Sequence, residues 1–123
     1  MNYLWVFLGG GLGAAMRYWL SGAVYRLLSS SFPYGTLVVN VIGCFVIGLW
    51  MSLFTERFAG NPALRVFLVI GILGGFTTFS SFSYETIALI RDGQIVSAIL
   101  NIGLSVVICL LATWIGLETG KLF

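Results

Sequence analysis

The chain has no histidine, only four acidic residues and only two prolines among 123 positions. Without histidine and without an acidic pair inside any apolar run, general acid–base machinery is missing, and an enzyme is not expected. Charged residues make up 8% of the chain, against roughly 25% in ordinary soluble domains. Six basic residues scattered over this length form no patch for nucleic acid. No acidic residue precedes Glu56. That removes the ribose-binding acid a dinucleotide site would need about 20 positions after Gly9-x-Gly11-x-x-Ala14.

What is present is apolar. Hydrophobic residues account for 59% of the sequence and the mean hydropathy is +1.06, values of an integral membrane protein. At about 20 apolar residues per span, four passages are expected, roughly Tyr3 to Leu28, Thr36 to Leu53, Ala63 to Ile90 and Gln94 to Leu117. Short connectors rich in Ser, Pro and Gly join them, so residues 1–123 read as a single four-helix transmembrane domain. The first run carries Arg17 with no charged segment ahead of it, which argues against a cleaved signal peptide. Cys44 and Cys109 both sit in apolar runs and read as small buried hydrophobes rather than as a disulfide or metal site.

The third passage departs from an ordinary span. Gly74-Gly75-Phe76-Thr77-Thr78-Phe79-Ser80-Ser81-Phe82-Ser83-Tyr84-Glu85 places glycines, hydroxyls and rings where lipid-facing residues should stand. The glycine pair predicts a break in the helix at Gly74-Gly75, and freed backbone groups at membrane depth need protein or a watery cavity beside them. A second half-helix would then present a positive dipole end, with Phe79 and Phe82 three apart on one face. Ring edges and hydroxyl donors suit an anion. Unwound carbonyls around Gly74 and Thr77 suit a small hard cation. A kinked core helix with aromatic packing is the plain alternative.

The other passages carry polar residues open to two readings. Asn40 lies on one face with Thr36, Gly43 and Cys44, either as a donor into a path or as glue between helices. Arg17 follows the glycines of the first passage and either faces a protein interior or vestibule or snorkels to the interface. Ser97, Asn101, Ser105, Cys109 and Thr113 stand four apart, a track that drifts about 40° per step and either lines a path or packs on a neighbour.

Taken together, Gly35-Thr36-Leu37-Val38-Val39-Asn40, the motif from Gly74 to Glu85 and the glycine-rich segment ending in Arg17 resemble the Fluc (CrcB) family of fluoride channels. The resemblance covers the whole chain. It implies an all-α membrane protein assembled as an antiparallel, dual-topology homodimer, with two fluoride pores and a central structural sodium ion. It further implies that Phe79 and Phe82 offer ring edges to fluoride beside Asn40. Thr78, Ser81 and Ser105 would supply hydroxyls, and Gly74 and Thr77 would give backbone carbonyls to sodium. Arg17 and Glu85 match the pattern as vestibule or structural residues. The physiological role implied is passive release of fluoride from the cytoplasm across the cell inner membrane or plasma membrane.

A small dual-topology multidrug/proton antiporter is the alternative of similar size. It needs a membrane-embedded carboxylate, and the first passage has none. Orientation is weakly specified, since Arg57, Arg65 and Lys121 on one side face Arg26, Arg91 and, if counted there, Arg17 on the other. The positive-inside rule acts through such an imbalance, and its near absence predicts insertion both ways.

Overall fold

The computed structural model describes residues 2–56 and 61–123. Arg57, counted above in the charge balance, lies outside them. Among the described residues every regular element is helical: α1 (Asn2–Leu27), α2 (Tyr34–Glu56), α3 (Pro62–Arg65), a π-helical run (Val66–Leu73), α4 (Gly74–Phe76), α5 (Phe79–Arg91) and α6 (Ile95–Gly120). The chain is an all-helical membrane protein. Three stretches, Tyr34–Thr55, Pro62–Arg91 and Ile95–Gly120, are long and apolar enough to cross a membrane. α1 has 26 residues, a comparable length, but its glycines and two arginines dilute its hydropathy.

Helix ends follow local chemistry. Pro62 opens α3, and the Asn61 side chain caps it by accepting from the Leu64 N–H at 3.1 Å. Gly93, at φ +80°, makes the tight return between α5 and α6.

Lipid offers helices no hydrophobic reason to associate, so contacts depend on close backbone approach. On α1, a side chain at Gly9 or Gly13 would run into the backbone of Phe67, Gly71, Ile72 or Phe76. The glycine spacing of the first passage is therefore the seam that holds α1 against the third passage. α2 and α6 meet in the same way, with Gly48 against the Thr113 carbonyl and Gly116 against the Phe45 carbonyl. Outward faces remain apolar and exposed, Leu110 at 68% and Tyr18 at 83% among them.

The third passage is broken, but not where the glycines predict. Gly74-Gly75 stays helical, and the chain becomes extended at Thr77 (φ −82°, ψ 155°) and Thr78 (φ −148°, ψ 115°). The glycines serve another purpose. Gly75 presses on the Gly10 carbonyl and the Ala14 N–H of α1, a contact any side chain would block. Helical bonding persists to Thr77, whose N–H (3.0 Å) and hydroxyl (2.9 Å) both donate to the Leu73 carbonyl. Only beyond that residue does the backbone need partners from elsewhere.

Candidate functional site

Asn40 of α2 supplies those partners. Its amide donates to the Thr78 carbonyl at 3.0 Å and its side-chain oxygen accepts from the Thr78 N–H at 2.8 Å. The side chain acts as a surrogate peptide towards Thr78, taking up the N–H that the break leaves without a helical acceptor and giving its carbonyl a donor. At membrane depth each unsatisfied group would cost several kcal/mol. Asn40 thus bridges two helices, and one amide N–H remains for a further acceptor.

Beyond the break, the Thr78 hydroxyl caps α5 by accepting from the Ser81 N–H at 3.1 Å, and it contacts the Ser80 hydroxyl at 3.3 Å. Cap and dipole together set the positive end of a 13-residue helix beside Asn40. Phe79 and Phe82 follow on one face, ring centroids 5.4 Å apart and inclined by 48°. Phe79 is 79% exposed.

An open cavity of about 470 Å³ lies along these groups. Its walls come from α2 (Asn40, Gly43, Cys44, Ile47), the third passage (Val69, Leu73, Gly74, Thr77, Thr78), α5 (Phe79, Phe82) and α6 (Ser105, Val106, Cys109, Leu110). The structure therefore brings Asn40, Gly74, Thr77, Thr78, Phe79, Phe82 and Ser105 to one space, while Ser81 is not part of its lining. None of the lining residues carries a charge. A Cβ at Gly74 would meet nothing within 4 Å, so this side of the third passage stands clear of side chains.

Arg17 and Glu85 stand apart from the cavity and from each other. The Arg17 Nε donates to the Gly75 carbonyl at 3.1 Å, with its charge near the negative end of the first half-helix. Glu85 accepts from the Thr36 hydroxyl at 2.5 Å and the Tyr25 hydroxyl at 3.3 Å, tying α5 to α2 and α1. It pairs with neither Arg17 nor Arg91, since the ion pair among the described residues is Lys121–Glu118.

The α6 track divides. Asn101, 2% exposed, donates to the Thr86 hydroxyl at 2.9 Å and accepts from Ser105 at 3.4 Å. The Thr86 hydroxyl in turn donates to the Phe82 carbonyl at 2.7 Å. The Ser105 hydroxyl borders the cavity but is spent on Asn101, and Thr113 turns back on the Cys109 carbonyl at 3.0 Å. Sequence reasoning missed Thr86 and Tyr25. Only the position of Thr86, one turn beyond Phe82, hinted at its bond.

Comparison with known proteins agrees with the motif. Residues 4–117 match the model of the family described as CrcB-like protein, Camphor Resistance (CrcB). A protein of Citrifermentans bemidjiense named Fluoride-specific ion channel FluC is 52% identical over 118 residues, covering 96% of this chain and 95% of the relative. One of Magnetococcus marinus with the same name is 48% identical over 122 residues, covering 99% of both. A third, from Trichlorobacter lovleyi and again so named, is 53% identical over 111 residues, covering 90% of this chain and 86% of the relative.

Proposed function

The chain belongs to the CrcB family, and from that premise we propose that it is a fluoride-selective channel rather than an enzyme. The observation that carries this function is the uncharged cavity in which Asn40, the ring pair Phe79 and Phe82 and the start of α5 converge. An amide N–H, positive ring edges and a helix N-terminus all favour an anion without holding it by a fixed charge. Conduction needs such moderate binding, favourable enough for the ion to enter and weak enough for it to leave.

The fuller proposal has α1 as a fourth span and the protein as an antiparallel, dual-topology homodimer. Phe79, Val106 and Leu110 flank the open cavity and are 79%, 51% and 68% exposed, and a second copy would close that side against lipid. Each protomer would contribute to two pores, through which fluoride leaves the cytoplasm passively across an inner or plasma membrane. Two-sided insertion predicts that single cysteines at the exposed Ser30 and Asn61, after replacement of Cys44 and Cys109, react with an impermeant thiol reagent from both membrane faces. Labelling of each from one face only contradicts dual topology.

Sodium fits the donor set in kind. Backbone carbonyls of Gly74 and Thr77 are neutral oxygens suited to a hard cation, and both residues border the open space at the break. Two such oxygens per chain form half of a shell, so the ion would join two copies. Its contribution would be structural, holding the two breaks together.

The test of the function is ion efflux from liposomes containing the purified protein. Fluoride release far faster than chloride release is the expected result, and equal or absent release of both refutes it.

A further inference from the structure

We infer that Cys44 and Cys109 form a two-thiolate site for a soft divalent cation, opening onto the cavity. The inference goes beyond the anion path and does not depend on it. α2 and α6 run parallel along their seam, since Gly48 meets Thr113, Leu49 meets Gly116 and Ser52 meets Gly120. The Gly48–Thr113 contact is backbone to backbone, with no room for a side chain between. One turn earlier on both helices stand Cys44 and Cys109. Each is a half-buried free thiol and each lines the same cavity, at matching positions one turn before the close Gly48–Thr113 contact.

The surroundings select the metal. Ile47, Val106 and Leu110 are the neighbouring wall and offer no further ligand. Zinc asks for four ligands and calcium or magnesium for oxygen, so two sulfurs alone satisfy neither. Soft cations with d10 shells that accept linear coordination by two thiolates, mercury(II) foremost, need nothing more. Charge points the same way. Each thiol gives up its proton to solvent, two S–Hg bonds form, no oxidation state changes, and a divalent ion with two thiolates is neutral. A monovalent soft ion would leave a net negative charge in an apolar wall, which is costly.

The experiment uses the purified full-length protein in detergent with mercuric ion as the probe. One equivalent per chain should protect both thiols from a maleimide, with X-ray absorption showing two sulfurs per mercury. Cys44→Ala and Cys109→Ala should each release mercury to about tenfold less 2-mercaptoethanol than the parent needs, because the second sulfur no longer acts as an intramolecular ligand. Protection of a single thiol per equivalent, one sulfur per mercury, or mercury bridging two copies would each overturn the site.

Discussion

Two asparagines stand in apolar spans of this protein and do different work. Asn40 bonds to backbone and Asn101 to side chains. The Thr78 N–H at the break has no helical acceptor of its own, so Asn40 replaces a missing peptide and is left beside the cavity. Asn101 meets an intact helix, and only the spare hydroxyls of Thr86 and Ser105 are available to it. An amide in a membrane helix is thus explained by what its partner lacks. Where backbone is freed, the amide is bound to a site, and where it is not, the amide is glue.

The two asparagines should part most sharply when Asn40 is made apolar. Asn40→Leu leaves the Thr78 N–H without its acceptor and takes one donor from the Thr78 carbonyl, and the expected outcome is loss of monodisperse protein on size-exclusion chromatography. A well-behaved variant with an unchanged melting temperature would show that the break holds itself. Substitution at the rings follows in size. Phe79→Ile and Phe82→Ile preserve volume but remove the positive ring edge, so folded protein should conduct fluoride about tenfold more slowly, equivalent to about 1.4 kcal/mol. Parent flux from both would remove the rings from the path.

If sodium joins two copies as proposed, its exchange for a large organic cation should weaken flux or the association of the copies. Unchanged behaviour in both removes the cation from the account. The smallest effect lies with the second asparagine. A double-mutant cycle on Asn101→Leu and Thr86→Val should give a coupling of about 0.6 kcal/mol, typical of hydrogen bonds between membrane helices. A coupling several times larger would place Asn101 in the same class as Asn40.

Much of the site is legible in the sequence because its polar residues interrupt otherwise apolar runs. Asn40, Thr78, Phe79 and Phe82 stand out for that reason, and they converge on one cavity. The position of the break is not legible. Gly74-Gly75 is a glycine signal satisfied by close packing on α1, whereas the break at Thr77–Thr78 depends on Asn40, which lies 38 positions away. Local propensity cannot register a partner at that distance. The partners of Glu85 are hidden similarly, because Tyr25 and Thr36 come to it from two other helices. The α6 track looks uniform at four-residue spacing, yet its members separate by which neighbour each turn of the helix happens to face.

If the break held by Asn40 is part of the fluoride path, Asn40→Asp should close that path while leaving the protein folded. The carboxylate can still accept from the Thr78 N–H, but it donates nothing and, when ionised, opposes an anion in the cavity. Fluoride efflux from liposomes holding the folded variant should fall about a hundredfold, equivalent to about 2.8 kcal/mol. Efflux at the parent rate would contradict the claim and leave Asn40 as interhelical glue alone.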